Sequence, residues 1–234
     1  MWPFSKKYSI VSSGLLRGAT DWHCHILPGV DDGIQTIEDS LAVLDRYAEL
    51  GIREVWLTPH VMEDIPNTPD ELRATYDELL KAYQGQITLH LASENMLDAI
   101  FEERLVKGHV LPIGTKGDHL LVETSYFNPP MDLYGMLKKI RERGFKPILA
   151  HPERYNYMSR TDYQRLKSMD ILFQINITSV AEAYGREVRQ KAEMLLSEHW
   201  IDYIGTDVHR LSSLNKAIEN RIIDRDTCQM LSQV

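Results

Sequence analysis

Two histidines near the start of the chain have the spacing of metal ligands on a strand. His23 and His25 lie in the stretch Asp-Trp-His-Cys-His that begins at Asp21. Successive side chains of a strand point to opposite faces, so we expect Asp21 and both histidines on one face and Trp22 and Cys24 on the other. Imidazole binds zinc, iron and copper, but such a pair alone can equally be a solvated strand face. A metal site here would need further ligands.

Candidate partners for this pair stand at the ends of other predicted strands. Residues of types that bind metals follow short apolar segments at His60, Glu94, Glu123, His151 and Asp207. His209 follows Asp207 at the same two-residue spacing as that between His23 and His25. The carboxyl ends of parallel strands meet at one edge of a sheet, where α/β proteins form their sites. Glu94 could instead cap a helix, whereas an unpaired carboxylate directly after an apolar strand, as at Glu123, would be costly. Together these residues predict a ligand cluster at that edge.

Apolar segments with strand character alternate along the chain with amphipathic helical patterns. The predicted strands are 20–25, 54–57, 87–92, 120–123, 146–150, 171–176 and 201–204. The predicted helices are 38–50, 69–83, 97–106, 131–143, 163–169 and 179–199. Thr68 and Pro69 before the second helix, and Gly51 after the first, are typical signals of helix ends. This alternation predicts an α/β fold with a parallel sheet, most simply a closed or partly closed barrel.

The length and composition fit one α/β domain. We expect a single domain over 1–234, with a core of about 19–211, an N-terminal leader at 1–18 and a C-terminal helix at 212–234. Hydrophobic residues make up 43% and charged residues 26%, which allows a sizeable core. Trp2 and Phe4 in the leader could contact a membrane or a partner, but we expect the leader to pack on its own domain.

The charge balance and the cysteine content exclude several classes of protein. The formal net charge of −8 argues against a broad nucleic-acid or anionic-membrane surface. A small anionic substrate remains compatible with this charge, because bound cations reverse the local sign. The two cysteines show no pairing pattern, and no apolar run approaches the ~18 residues needed to span a bilayer. We therefore expect a cytoplasmic protein without a membrane span.

The spacing of the cysteines also excludes a cysteine-dependent tyrosine phosphatase. Such an enzyme needs an arginine six positions after its nucleophilic thiolate, but that position is Val30 after Cys24 and Val234 after Cys228. The sequence has neither a glycine-rich nucleotide-binding loop nor a His-Glu-x-x-His helix. Metal-assisted chemistry at the strand ends is the better prediction.

The ordered set of motifs resembles that of the polymerase-and-histidinol-phosphatase (PHP) family of metallophosphoesterases. The motifs are Asp-x-His-x-His at 21–25, His60, Glu94, Glu123, His-Pro-Glu-Arg at 151–154 and Asp-x-His at 207–209. Asp-Asp-Gly at 31–33 and the His-Pro-Glu-Arg element are similar to the bacterial capsule and exopolysaccharide branch of manganese-dependent protein tyrosine phosphatases. The resemblance runs from about Asp21 to His209.

This resemblance implies a distorted (β/α)7 barrel, similar to a TIM barrel, with a cluster of two or three divalent ions. Manganese is the expected metal, with iron or zinc as alternatives. The residues implied for the first ion are His23, His25, Glu94 and Asp207. Those implied for the second are His60, Glu94, Glu123 and His151. Asp32 and His209 are implied to help hold a third.

The same resemblance implies roles in substrate binding and catalysis. Arg154 and Asp207 are the expected catalytic residues, and Arg154 is also expected to bind the substrate phosphate. The branch can carry a second phosphate-binding arginine a few residues after the last Asp-x-His, whereas Arg210 follows it immediately here. We expect Arg210 to take that role.

These residues predict metal-assisted phosphoester hydrolysis, in which clustered cations activate water and an arginine holds a phosphoryl oxygen. The expected substrate is a phosphotyrosine protein, namely a tyrosine kinase that controls polysaccharide export. One alternative is a small-molecule phosphatase acting on histidinol phosphate or a sugar phosphate; another is a PHP-like module whose metals are only structural. A shallow, open site would favour the protein substrate, and a closed pocket with extra polar anchors the small molecule.

Overall fold

Short parallel strands form the centre of the molecule. The computed structural model describes residues 6–234. Its strands are Thr20–Cys24 (β1), Glu54–Leu57 (β2), His60–Val61 (β3), Thr88–Leu91 (β4), Glu94–Met96 (β5), His119–Glu123 (β6), Lys146–Ala150 (β7), Leu172–Asn176 (β8) and Tyr203–Gly205 (β9). Each ladder between neighbouring strands is parallel, as the alternation of strands and helices predicts.

Helices connect most of these strands. They are Ile10–Ser13 (α1), Ile37–Leu50 (α2), Pro69–Ala82 (α3), Phe101–Lys107 (α4), Leu133–Glu142 (α5), Arg160–Ser168 (α6), Arg186–Ser197 (α7), Leu211–Ile218 (α8) and Arg225–Leu231 (α9), with 3-10 turns at Pro152–Arg154 and Ile177–Ala181. The predicted end signals are confirmed. Thr68 and Glu71 form a capping box before α3, and Gly51 ends α2 at φ 86°.

The parallel sheet curls until its two ends meet. Its strands pair in the orders β1-β2-β4 and β3-β5-β6-β7-β8-β9. The two groups are continuous along the chain, because two residues link β2 to β3 and two link β4 to β5. Pairing continues through these links, where the Ala92 N–H donates to the Leu57 carbonyl at 2.9 Å and the Glu94 N–H to the Pro59 carbonyl at 3.0 Å. At the far end, the His25 N–H donates to the Val208 carbonyl at 3.0 Å. This curled parallel sheet is consistent with a distorted barrel.

Both faces of the strands are buried. On the concave side a small cluster takes one side chain from each of several strands: Trp22, Trp56, Leu121, Ile148, Leu172 and Tyr203. The alternate residues Leu57, Val122 and Leu149 belong to the larger core shared with the helices. Such two-sided burial is typical of parallel sheets covered by helices, and it leaves the strand ends as the place for polar groups.

The predicted face of β1 is wrong for Asp21 and Trp22. The register of β1 against β2 shifts between Asp21 and Cys24. Asp21 therefore lies on the helix side, where the Tyr47 hydroxyl of α2 donates to its carboxylate at 2.6 Å, and Trp22 stacks on Trp56 in the concave cluster. A bulge places two consecutive residues on one side, and period-two alternation cannot anticipate it. Cys24 is a fully buried core residue, as predicted.

The predicted helix at 179–199 is wrong over its first turns. The 3-10 turn ends at Ala181, and α7 begins only at Arg186. Between them Glu182 has φ 61° and Gly185 has φ 91°, and both values lie in the left-handed region, which stops a helix. The predicted C-terminal helix is likewise two helices, α8 and α9, and Glu94 and His60 begin short strands of their own rather than following longer ones.

The described part of the leader packs on the rest of the domain. Ile10 is fully buried, and Tyr8 pairs with Ile223 through a pair of backbone hydrogen bonds. Trp2 and Phe4 lie outside the described residues. Among residues 6–234, the helices are all too short or too polar to cross a bilayer.

Candidate metal centre

The predicted ligands converge at the carboxyl edge of the curled sheet. Overlapping groups each offer one ligand atom per residue within 4.8 Å of the others: His23, His25 and Asp207; His23, Glu94 and His151; His60, Glu94 and Glu123; and His25, Asp32, His60 and His209. The remaining described histidines, His90, His109, His119 and His199, belong to none of these groups. The edge of the sheet thus carries several groups positioned to bind metal ions.

The deepest group is formed by the first strand, the last strand and β5. His23 Nε2 lies 3.0 Å from His25 Nε2, 3.1 Å from Glu94 Oε2 and 3.7 Å from Asp207 Oδ1. Ligands about 2.1 Å from one ion lie about 3 Å apart at neighbouring positions. These separations therefore fit a shared cation, and all four side chains are buried.

The far nitrogen of each deep imidazole is already engaged. His23 Nδ1 lies 2.8 Å from Gln174 Oε1, and His25 Nδ1 lies 2.8 Å from Asp31 Oδ2. Both oxygens accept, so each Nδ1 carries the proton and each Nε2 presents a lone pair. Two lone pairs 3.0 Å apart repel unless a proton or a cation lies between them.

The protonation of this group shows how strongly it attracts positive charge. Burial opposes a charge on His23, but the carboxylates of Glu94 and Asp207 outweigh it and raise the pKa of His23 to about 9. Burial alone would raise the pKa of Asp207, yet the neighbouring histidines and Arg154 hold the pKa of its carboxyl well below the usual value. A metal cation would take the place of the proton.

A second group contains buried atoms that no hydrogen bond satisfies. His60 Nδ1 lies 2.8 Å from Glu123 Oε1 and 3.0 Å from Glu94 Oε2, but the directions of these contacts do not suit hydrogen bonds, and all three atoms lack a partner. His151 Nε2 approaches Glu94 Oε1 at 3.0 Å from the other side. Unpaired buried carboxylate oxygens are costly. Their donor chemistry fits a cation between them.

The pKa values of the residues in the second group are shifted strongly and in different directions. Burial and the charge of Glu94 raise the pKa of Glu123 to about 7. Burial lowers the pKa of His151 to about 4, whereas the two carboxylates raise the pKa of His60 to about 12 against the effect of its burial. Perturbed groups of this kind cluster at functional sites.

The outer group is open to solvent. Asp32 Oδ1 lies 3.4 Å from His209 Nε2 and 3.6 Å from His60 Nε2, and the Asp32 side chain is 69% exposed. The His209 imidazole lowers the pKa of Asp32 to about 2, so this carboxylate is ionised at neutral pH. His209 donates from Nδ1 to the Asp207 carbonyl at 3.0 Å, which leaves its Nε2 available.

Arg154 lies beside the cluster, and one nitrogen of its guanidinium is already hydrogen-bonded to it. Its Nη1 donates to Asp207 Oδ2 at 2.6 Å, and its guanidinium lies between the rings of Tyr126 and Tyr184. Arg154 lines a cavity of about 940 Å³ that also reaches His209 and the exposed Arg210. The two predicted arginines therefore share one cavity.

Two site residues have strained backbones at the ends of strands. His151 follows β7 with φ 33°, and Asp207 follows β9 with φ 53°. Non-glycine residues seldom adopt positive φ, and such strain is concentrated at functional sites. The geometry directs both side chains into the cluster.

Several contributors were missed by reasoning from the sequence. Asp31 and Gln174 orient imidazoles, and the Asn176 side-chain amide donates to Asp207 Oδ2 at 2.7 Å. Gln174 and Asn176 alternate at the end of a predicted strand, as the ligands do, and this signal could have identified them. Tyr126 and Tyr184 lie in loops, where no periodicity marks them.

The fold and the site together define a class, namely α/β proteins that hold a cluster of metal-binding side chains at the carboxyl edge of a curled parallel sheet. The sequence profile of the capsular polysaccharide synthesis family, CpsB/CapC, matches residues 19–224. The chain belongs to this family.

Characterised relatives span most of the chain. The tyrosine-protein phosphatase YwqE of Bacillus subtilis is 27% identical over 202 residues, which cover 83% of this chain and 79% of YwqE. The tyrosine-protein phosphatase CpsB of Streptococcus pneumoniae is 26% identical over 212 residues, covering 82% and 84% of the two chains.

A solved structure has the same fold. It comes from crystal structures of YwqE from Bacillus subtilis and CpsB from Streptococcus pneumoniae, described as unique metal-dependent tyrosine phosphatases. It superposes with a TM-score of 0.79 at 23% identity and covers 92% of this chain and 87% of that one. This likeness supports the curled-sheet architecture.

Proposed function

We propose that this protein is a metal-dependent protein tyrosine phosphatase of capsule or exopolysaccharide synthesis. The observation that carries the proposal is the pair of imidazole Nε2 atoms, 3.0 Å apart, that face two buried carboxylates. Family membership and the relatives named tyrosine-protein phosphatase support the same activity. Arg154 beside the cluster supplies the cationic group that a phosphoryl substrate needs.

The proposed ligands divide among two or three divalent ions. His23, His25, Glu94 and Asp207 would hold the first, His60, Glu94, Glu123 and His151 the second, and Asp32 and His209 would help to hold a third. The mixture of imidazole and carboxylate suits manganese best, with iron or zinc as alternatives. Bound there, the ions would polarise phosphoryl oxygens and activate water at neutral pH.

The chain's own residues would orient the phosphoester. Arg154 lines the cavity, and the guanidinium donors that do not bind Asp207 would clamp a non-bridging oxygen. Asp207 stays ionised because its pKa is lowered, so its catalytic role is to hold charge rather than to donate a proton. Arg210, on the same cavity wall, would add a second positive charge for the substrate.

The cavity favours a protein substrate over a small metabolite. It opens to solvent, so it can admit a phosphorylated side chain that projects from a protein, whereas a small phosphoester is better held in a closed pocket. We propose that the protein is cytoplasmic and that its substrate is a tyrosine kinase that controls polysaccharide export. The free thiols of Cys24 and Cys228 are compatible with a reducing compartment.

We also propose that the chain is a single domain built as a distorted (β/α)7 barrel. If β2 with β3, and β4 with β5, are each counted as one kinked strand, the ring contains seven strands. The meeting of β1 with the residues after β9 supports closure of that ring.

The test is hydrolysis by purified protein loaded with manganese. We expect metal-dependent phosphate release from p-nitrophenyl phosphate and from a phosphotyrosine peptide, and its loss in His151→Ala. Lys116→Ala, in an exposed loop, is the control. A protein that releases no phosphate with manganese, iron or zinc, or a His151→Ala variant that retains full activity, would overturn the proposal. Faster turnover of histidinol phosphate or a sugar phosphate than of the phosphotyrosine peptide would indicate that the substrate is a small molecule rather than a protein.

A further inference from the structure

The guanidinium of Arg154 lies over two aromatic rings and is hydrogen-bonded through one nitrogen. Its Cζ lies 4.3 Å from the ring centre of Tyr126 and 4.2 Å from that of Tyr184. Its Nη1 donates to Asp207 at 2.6 Å, and its side chain remains only 18% exposed. Arg154 also lines the cavity, so these contacts restrain its guanidinium there before an anion arrives.

Tyr126 is itself held in place. Its ring stacks on the fully buried Tyr155, with ring centres 6.2 Å apart, and lies 5.7 Å from the His151 ring. Its carbonyl accepts the Asn156 N–H at 2.9 Å. The ring under Arg154 is therefore part of the packed wall, although Tyr126 belongs to an irregular segment.

Tyr184 lies in the irregular segment between the 3-10 turn that ends at Ala181 and the start of α7, and from there its ring contacts Arg154. Glu182 at φ 61° and Gly185 at φ 91° flank it, and the first of these is strained for a residue with a side chain. Glu182 and Ala183 are exposed, so burial of the core does not explain this irregular segment. The Tyr184 hydroxyl lies 3.4 Å from Asp207 Oδ2 and 3.4 Å from Asn176 Nδ2, which joins the ring to the network that holds Arg154.

We propose that Tyr126 and Tyr184 are positioning residues that pre-orient Arg154 for a phosphoryl group, an inference that rests on the proposed phosphatase function. A guanidinium that lies over two aromatic rings is attracted by both, which restricts its rotation. An arginine that is already ordered loses less conformational entropy when it binds an anion. Without the rings, Arg154 would be free to turn its donors away from the cavity.

Variants of Tyr184 in the metal-loaded, full-length protein test the proposal. We expect Tyr184→Leu to raise both the KM for p-nitrophenyl phosphate and the Ki of inorganic phosphate about tenfold, with a smaller change in kcat. Tyr184→Phe keeps the ring and should stay within about twofold of the wild type. The matched control is Tyr134→Leu, because Tyr134 packs on a different arginine, the exposed Arg165, whose Cζ lies 3.6 Å from its ring centre.

A double-mutant cycle separates positioning from general damage. Tyr184→Leu should have no further effect on phosphate affinity in an Arg154→Ala background, and the metal content should match that of the wild type. An equal loss in both backgrounds, or a loss of bound metal, would overturn the proposal. Tyr126→Leu provides a second test if Tyr184→Leu fails to fold.

Calorimetry with inorganic phosphate distinguishes this inference from the proposed function. If the wild type hydrolyses no phosphoester but binds phosphate in a way that needs Arg154 and either ring, the phosphatase proposal fails and the positioning role stands. If the wild type hydrolyses phosphoesters but Tyr184→Leu and Tyr126→Leu both leave KM and phosphate affinity unchanged, the positioning role fails alone.

Discussion

The deep and the outer sides of the ligand cluster are built in different ways. His23, His25 and Glu94 are fully buried, whereas the side chains of Asp32 and His209 are 69% and 27% exposed. The deep residues stand on or directly beside paired strands, and the outer ones stand in segments between elements. Sites on regular elements are held more precisely than sites on loops. We therefore infer a rigid inner part and an adaptable outer part.

The two sides also differ in what orients the ligands. On the deep side Gln174 and Asp31 come from elsewhere in the chain and fix the far nitrogens of two imidazoles. On the outer side His209 Nδ1 donates to a carbonyl two residues away, and its Nε2 faces the exposed Asp32. Groups that orient a ligand typically change metal affinity 10- to 100-fold. The difference predicts a graded response to substitution, from the deep side outward.

The largest effect is expected from Glu94→Gln. Glu94 belongs to two of the ligand groups, and its two oxygens face His23, His25, His60 and His151. An amide would remove the shared negative charge, so we expect loss of bound metal and at least about a 10³-fold fall in kcat/KM. Metal analysis and p-nitrophenyl phosphate kinetics measure both. Glu102→Gln, at an exposed ion pair with Lys139, is the control, and retention of metal by Glu94→Gln would refute the rigid inner part.

Acidification should weaken metal binding steeply. His23 and His60, with pKa values of about 9 and about 12, hold protons in the metal-free protein at pH 7. A metal must displace these protons, so its apparent affinity should rise with pH by about 10- to 100-fold per pH unit between pH 6 and 8. Metal titrations at several pH values measure the slope. An affinity that stays constant across this range would show that neither imidazole is a ligand.

Removal of an orienting group should have an intermediate effect. Asp31 Oδ2 accepts from His25 Nδ1 and, at 3.0 Å, from the His60 N–H, so Asp31→Ala frees two parts of the cluster at once. We expect a 10- to 100-fold loss of metal affinity with the fold retained. Competition with a chelator measures it, and Asp64→Ala, at an exposed position, is the control. An unchanged affinity would mean that strand pairing alone orients the deep ligands.

A smaller effect is expected at the outer side. Asp32→Asn keeps the shape of an exposed side chain but removes its charge, 3.4 Å from His209. We expect the protein to lose its weakest-bound ion, with activity about 3- to 10-fold lower and deep-site affinity unchanged. The metal-to-protein ratio after dialysis distinguishes the sites. A loss as large as that of Glu94→Gln would erase the proposed difference between the two sides.

The sequence predicted the cluster better than it predicted the surroundings of the cluster. Glu123 ends an apolar strand, His151 directly follows one, and His60 follows one after two residues. A parallel sheet must bring such strand ends together. Asp21 was assigned to the wrong face, because a bulge resets the alternation without leaving a local signal. Tyr184 was assigned to a helix, because a left-handed Glu182 depends on tertiary contacts rather than on propensity.

The smallest functional effect is expected behind the deep side, at Tyr47. Its hydroxyl donates to Asp21 at 2.6 Å and lies 2.5 Å from the Thr206 hydroxyl, so it ties α2 to both ends of the curled sheet. Because Asp21 faces away from the ligands, Tyr47→Phe should lower the free energy of unfolding by about 1–3 kcal/mol while kcat stays within about twofold.

Urea denaturation and steady-state kinetics of metal-loaded Tyr47→Phe separate these two effects. Tyr203→Phe is the control, since that half-buried ring packs edge-on against Trp22 at 4.8 Å, and we expect a smaller change in stability. If Tyr47→Phe lowered metal affinity in step with stability, the support behind the sheet and the orientation of the ligands would be one coupled network. Independent effects would show that closure of the sheet at Tyr47 contributes to stability without setting the geometry of the metal centre.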